Sequence, residues 1–273
     1  MSEYLFNRKV HLAIGPYGGE GILITENYVQ FDIDETSDST INKGTIKVYN
    51  LNEDSRTLLE NNKTGKELFC KLQVGYATMA EMTELFSGTV TRTRSTKEGK
   101  DYISVIELGD GVKEQKNAKS DKSYKGSTAN TNILTDVVKS FGLSLGKSDL
   151  APETFQSGMA LSGSSKNIMD KLVKKQGMEW HIRAGQIHIL KPRGSNGEEA
   201  IVLSLDSGMI GAPIKKDDGI EVKALIQPNL HPGRAVKIEA ELIKGLYRIR
   251  TAKFSGDNKN GPWEVMLTCV EVK

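Results

Sequence analysis

The first third of the chain alternates. In VHLAIG (10–15), ILITENYVQFDID (22–34), GTIKVYNL (44–51), LFCKLQVGYA (68–77), ELFSGTVTRTRST (84–96) and DYISVIELGDG (101–111), apolar residues fall at every second position or nearly so. That is the period of a strand with one buried face. Gly, Asn and Asp punctuate the runs, and turn signals recur roughly every ten residues, which predicts a barrel or sandwich and not a parallel α/β sheet. One helix is expected here. Asn50, Leu51 and Asn52 interrupt the strand that carries Ile46 and Val48, and Asn52 is placed to cap a helix reaching about Asn61. Glu53 and Asp54 fill its first turn, where the helix dipole favours acids, and Leu58 and Leu59 face inward.

From Lys113 to Gly126 the run KEQKNAKSDKSYKG reads as a polar linker or extended arm, its lysines a solvated loop first and a partner-binding strip second. The period then changes to that of helices. STANTNILTDVVKSFGL sets Ile133, Leu134, Val137, Val138 and Phe141 on one stripe, with Ser127 or Thr128 as cap and Gly142 as stop. SGSSKNIMDKLVKKQG repeats the arrangement, with Ser164 or Ser165 as cap, a stripe of Ile168, Met169, Leu172 and Val173, and Gly177 as stop. WHIRAGQIHIL predicts a hairpin turning at Ala184-Gly185, with His181 and His188 flanking the turn. The last third returns to strands: AIVLSLDS, GIEVKALI, RAVKIEAELI, GLYRIRTAKFSGD and WEVMLTCVEV. No short solenoid or propeller repeat is present. A faint likeness joins the two strand-rich parts, FSGTVTRTRST and IKGLYRIRTAKFSGD, and two related barrels would explain it.

Composition narrows the class. With 273 residues, 26% charged and 37% hydrophobic, the chain has a globular composition, large enough for one large or two modest domains. Its net charge of +2, from 37 basic and 35 acidic side chains, gives no electrostatic case for nucleic acid or an anionic membrane. The apolar runs are too short to span a bilayer, and the N-terminal stretch lacks a signal-peptide core. Cys70 and Cys269 lie in strand-like runs and are read as reduced, half-buried thiols.

Catalytic constellations do not emerge. His11, His181, His188 and His231 lack accompanying ligands at metal spacing, and His231, in the turn PNLHPG, is expected to be exposed. GPYGGEG and SGSSKN do not fit a phosphate-loop pattern. Asp110, Asp206, Asp217, Asp218 and Asp257 sit in turn-like contexts, where a structural role outweighs paired-carboxylate chemistry. No catalytic, cofactor-binding or metal residue is assigned and no cofactor is expected. The protein is not read as an enzyme.

An ordered set of segments does resemble a family: the tube-like, two-barrel baseplate hub proteins of contractile-tailed bacteriophages and tail-like prophage particles. The segments are YNLNEDSRTLL (49–59), LQVGYA (72–77), LFSGTVTRTRSTKEGKDYISVIELGDG (85–111), KGSTANTNILTDVVKSFGLSLG (125–146), LSGSSKNIMDKLVKKQGMEWHIRAGQIHIL (161–190), SGMIGAPIKKDDGIEVKALIQPNLHPGRAVKI (207–238) and GLYRIRTAKFSGDNKNGPWEVMLTC (245–269).

The resemblance implies a mainly β fold with two tail-tube-type β-barrel domains flanking a small α+β module. The expected divisions are 1–115 for the first barrel, 116–194 for linker and module, and 195–273 for the second barrel. It implies a structural hub in the virion tail baseplate, made in the host cytoplasm. Three copies would present six barrels in a ring that adapts the six-fold tail tube to the three-fold central spike. The implied partners are further copies of itself, the tail tube protein and the central spike protein, with tape-measure and baseplate wedge proteins as further candidates. No membrane anchor is expected, and DNA is only passing cargo during genome ejection. Strands such as TVTRTRST (89–96) would line the lumen with polar side chains, and their edges would continue sheets between subunits. A separate spike protein would supply any cell-wall cleavage or piercing. The alternatives are a hub-like tail-tip protein of a non-contractile or injection particle and, further off, a carbohydrate-active β-protein.

Overall fold

Burying one face of each alternating run turns it into a strand in the computed structural model, which describes residues 7–16, 19–60, 67–77 and 81–272. Strands make up 53% of the chain and helices 14%, so the expected mainly β class is the one adopted. The first part contains β1 (Arg8–Pro16), β2 (Ile22–Ile24), β3 (Val29–Thr36), β4 (Lys43–Tyr49), α1 (Glu53–Glu60), β5 (Leu68–Tyr76), β6 (Thr83–Glu98) and β7 (Asp101–Gly109). The last part contains β15 (Ile201–Leu203), β16 (Ile214–Lys216), β17 (Gly219–Leu225), β18 (Ala235–Glu239), β19 (Lys244–Asp257) and β20 (Trp263–Glu271). Between them lie α2 (Val112–Asn117), β8 (Lys119–Tyr124), β9 (Thr128–Ala129), α3 (Asn130–Ser140), β10 (Ser144–Ser148), β11 (Thr154–Phe155), β12 (Met159–Ser164), α4 (Ser165–Lys174), β13 (Glu179–Arg183) and β14 (Gln186–Leu190).

The first and last parts join in one 13-stranded sheet, ordered β16-β17-β20-β19-β3-β4-β7-β6-β5-β1-β2, with β18 on β19 and β15 on β18. The joint is the antiparallel ladder from Thr251↔Thr36 to Asp257↔Gln30 between β19 and β3. One apolar core runs under both parts, from Phe31 and Ile46 to Ile249, Phe254 and Trp263. Two long strands roll the sheet, and they are built alike. β6 pairs with β5 up to Thr89, then bulges between Val90 and Arg92 while staying on β7. β19 pairs with β18 up to Arg248, then bulges between Ile249 and Thr251 while staying on β20. A bulge bends a strand and strengthens its twist, so each long strand serves two parts of the sheet.

α1 forms where the sequence places it. Asn52 Oδ1 accepts the Ser55 N–H at 2.8 Å, closing the N-terminal cap, and Leu59 is buried while Leu58 is half-buried. Residue 61, the expected helix end, and residues 17–18 of GPYGGEG lie outside the described residues. Asn52→Ala should remove about 1 kcal/mol of stability, because an orphan N–H loses its acceptor. The loss should appear as faster amide exchange confined to α1; unchanged exchange there would refute the cap's role.

The middle has its own core, with the α3 stripe of Ile133, Leu134, Val137, Val138 and Phe141 packed on Met169, Val173, Trp180 and Ile187. Each such aliphatic side chain contributes roughly 1.5–3 kcal/mol on burial. Gly142 and Gly177 end the two helices with φ of 71° and 65°, the left-handed conformation a C-terminal stop requires. The β13–β14 hairpin turns through Ala184 and Gly185, both at positive φ, as a type I′ turn demands.

Two local expectations change. Residues 113–126 are not a linker: they supply most of α2 and all of β8, a ribbon strand paired with β12. The reason lies on helix α3, where Asp136 accepts the Tyr124 hydroxyl at 2.8 Å and pairs with Lys122 at 2.6 Å. Polar contacts hold the strand where apolar periodicity was absent. α3 also starts at Asn130 without a side-chain cap, two residues past the expected caps. Asn130 is fully buried and bonds the 150s segment instead, through Ala151 O and the Glu153 N–H.

Candidate assembly surfaces

Alternation leaves one face of the joined sheet polar. On β3, β4 and β19 the residues in phase with the core are mostly apolar, with Glu35 an exception, and those out of phase include Asp32, Asp34, Lys43, Lys47 and Lys253. The face crosses the joint without a break: Ser255 Oγ donates to Asp32 Oδ1 at 2.7 Å and Lys253 lies 3.9 Å from Asp34. Lys223 and Glu264, 2.7 Å apart, continue it over β17 and β20. Such exposed pairs contribute little stability, about 0–1 kcal/mol each. Their effect is to keep the face wetted and of mixed sign.

Among the described residues β2 and β15 end the sheet with one neighbour each, and two further edges are open. Beyond its bulge β6 has β7 on one side only, and Arg92, Arg94 and Thr96 are exposed there. Its inward side is polar too: Thr93 Oγ1 donates to Leu59 O at 2.8 Å, and the Ser95 and Ser104 hydroxyls are 2.9 Å apart. The opposite edge is the segment 209–216, which meets β17 through the bridge Met209↔Ala224 and the short strand β16. Ile214 is 56% exposed and Ile210 37%, beside Pro213, Lys215 and Lys216. Proline and lysine are common guards of exposed edges, whereas two exposed isoleucines are not.

The seam between sheet and middle part is built from polar groups that, Asp110 apart, sequence reasoning did not single out. Asn42 Nδ2 donates to Ile182 O at 3.1 Å while its Oδ1 accepts the Thr36 N–H. Arg248 of β19 is fully buried; its Nη1 donates to Glu179 Oε2 and to Lys191 O at 3.1 and 3.2 Å, and to Pro192 O. Glu35 is 4% exposed, and its Oε2 has no hydrogen-bond partner among the described residues. Burial pushes its carboxyl up to about 7, against the pull of Arg183. Asp110, which accepts the Ala184 N–H at 3.1 Å, is pushed up to about 6, also by burial. One signal was available: Glu35 shares the inward phase of Val29, Phe31 and Ile33.

The residues singled out from sequence are dispersed. His181 and His188 pair across the hairpin, their rings stacked at 5.3 Å, and burial lowers the pKa of both. His231, expected to be exposed, is buried at 6% because its turn is tucked beneath the middle part, where Gly233 approaches Leu190 and His181. Burial lowers it to about 3, although Glu198 lies 3.6 Å away. Asp257 is buried, holding the Tyr28 hydroxyl at 3.1 Å and the Lys259 N–H at 2.8 Å, while Asp206, Asp217 and Asp218 are exposed. None of the five aspartates shares a hydrogen bond with another. Cys70 and Cys269 are free thiols, fully buried rather than half-buried, and burial pushes both up, Cys269 to about 12.

Comparison with known proteins follows the same direction. A family model described as "Baseplate hub gp41" matches residues 10–269. No curated protein matches the sequence. Among solved structures, the 43 kDa tail protein of prophage MuSo2 from Shewanella oneidensis is similar with a TM-score of 0.65 at 11% identity, over 97% of this chain and 98% of that one. The tail protein from Neisseria meningitidis MC58 gives 0.65 at 9% identity, over 96% of each chain. The Escherichia coli c3393 protein, described as a type VI secretion component with structural similarity to the T4 tail proteins gp27 and gp5, gives 0.63 at 10% identity over 95% of this chain and 77% of that one. At such identities the likeness is one of fold.

Proposed function

The chain belongs to the baseplate hub gp41 family, and from that premise we propose that it is the homotrimeric hub of a contractile phage tail. The family is a structural one of the phage baseplate. In this reading residues 1–115 and 195–273 act as two tube-type barrels and 116–194 decorates them. Three copies set six such units in a ring between the six-fold tail tube and the three-fold spike, within the virion baseplate.

One observation carries the proposal: the polar face that runs unbroken through the β3–β19 joint from one half of the chain to the other. A lumen that passes DNA without retaining it needs a wetted wall of mixed sign, since a run of unopposed cations would bind phosphates. Asp32, Asp34, Lys43, Lys47 and Lys253 make such a wall. The tube and spike proteins are the proposed neighbours above and below, and the chain itself is given no catalytic role. Among the described residues no helix is long and apolar enough to cross a membrane. The likeness to a type VI secretion component supports a second reading, the hub of an injection particle.

The mass in solution tests the ring. With a chain of 30.0 kDa, light scattering should report about 90 kDa (three chains), alone or with the spike bound. A monomer under both conditions refutes the ring.

A further inference from the structure

We propose that the open side of β6, residues 92–98, pairs antiparallel with the segment 209–216 of a second copy of this chain, and that this pairing is the joint between subunits. The inference rests on the ring reading and adds which edges meet and in what register.

The template lies within the chain. β19 and β6 have the same construction, a long strand that bulges and changes what it faces. Past its bulge, the β18 side of β19 is occupied by β3, whereas the β5 side of β6 is open among the described residues. The ladders also correspond strand by strand. Aligning the pairs just before the bulges, Val90↔Leu108 with Ile249↔Cys269, makes Thr96 the counterpart of Ser255 and Ile103 the counterpart of Glu264. The neighbours of Ile103 and Glu264 are Tyr49 and Leu225, so Thr45 corresponds to Glu221. Their partners in turn are Asp32 and Ile214. Hence the segment 209–216 stands where β3 stands, at the first position of its half.

Core burial follows the same correspondence. Ile46 and Val48 map to Val222 and Ala224, and Ile106 and Leu108 map to Leu267 and Cys269; all eight are buried. If β19 receives β3 within a chain, its counterpart β6 presents the same kind of edge to the counterpart of β3. No second 209–216 segment exists in the same chain, so the occupant is another copy. The contact is heterologous, and it closes when three within-chain and three between-chain joints alternate around one axis.

The register is specific. Ser255 faces Asp32 within the chain, so Thr96 should face Ile214 of the next copy. Two residues along, Arg94 meets Lys216 and Glu98 meets Ala212, and Arg92 meets Asp218. Pro213 supplies only its carbonyl, so the ladder is carried by the residues around it. Covering Ile210 and Ile214 removes the apolar exposure that the isolated edge carries.

Paired cysteines test this directly, since opposed strand positions lie within disulfide reach. Three double variants, Arg94→Cys with Lys216→Cys, Thr96→Cys with Ile214→Cys, and Glu98→Cys with Ala212→Cys, are oxidised in the full chain and run on non-reducing gels. All six sites are exposed, so melting temperatures should match the parent. The expected result is a covalent trimer, strongest for Thr96→Cys with Ile214→Cys, that returns to monomer on reduction; the matching single variants should give no trimer. A trimer by light scattering with no cross-link in any of the three overturns the edge assignment and leaves the ring standing. A monomer without cross-links overturns both.

Discussion

Arg248→Ala is expected to lower the melting temperature by roughly 6–12 °C, from a loss of about 3 kcal/mol. Arg248 joins the sheet to the middle part, its Nη1 serving Glu179, Lys191 O and Pro192 O. Alanine leaves a cavity the size of the missing side chain and two carbonyls without their donor. The ion pair is not the main term. The guanidinium is wholly buried, its Nε and Nη2 have no partner among the described residues, and the Glu179 side chain keeps 26% exposure. A charge held under those conditions roughly balances its desolvation cost, and replacing both partners of such a pair by apolar residues is often neutral. Arg248→Met refills most of that volume but, like Ala, leaves both carbonyls and Glu179 without their donor, so it should recover only the cavity part of the loss, about 1–2 kcal/mol. Equal losses for Ala and Met, measured by thermal unfolding, would show that the charge and not the volume matters.

Glu35→Gln should stabilise the protein in a pH-dependent way. The Glu35 carboxyl is raised from 4.5 to about 7 in the folded chain, mainly by burial. The folded state therefore holds its proton more tightly than the unfolded state. The resulting stability is complete below about pH 4.5 and is lost as pH rises through 7. Glutamine cannot ionise, so the variant should match the parent near pH 4 and exceed it by about 3 kcal/mol at pH 8. His231 shifts the opposite way, its depressed pKa withdrawing stability below its unfolded value. Only the difference between parent and variant isolates Glu35. Denaturant titrations across that range supply it, and a difference that does not change with pH would contradict the assignment.

Local periodicity made much of the fold legible. Ile46, Val48 and Leu59, the α3 and α4 stripes, the Asn52 cap and the His181–His188 pairing across a turn were all readable, because each depends on neighbours a few residues away. The β8 ribbon was not, since Lys122 and Tyr124 are held by Asp136 on a helix that no strand pattern announces. His231 failed for a related reason: a Pro- and Gly-rich turn is usually exposed, and only the packing of the middle part onto it made this one buried. The glycine-led likeness of FSGTVTRTRST and IKGLYRIRTAKFSGD pointed to a real correspondence. The bulges align it differently, placing Gly88 opposite Tyr247 in the comparison and not opposite Gly245.

From its own order of residues, then, this chain determines most of its strands and their apolar faces, the stripes of α1, α3 and α4, the cap of α1 and the glycine stops of α3 and α4. These are short-range consequences of side-chain alternation, capping and backbone freedom. What the tertiary structure alone decided is that the two strand-rich halves share one sheet through β3 and β19, that β6 beyond its bulge and the segment 209–216 stand at open edges among the described residues, and that Glu35, Asn42 and Arg248 meet at a common seam. Pairing between strands more than two hundred residues apart is chosen by the whole core at once, and no local window of sequence contains that choice.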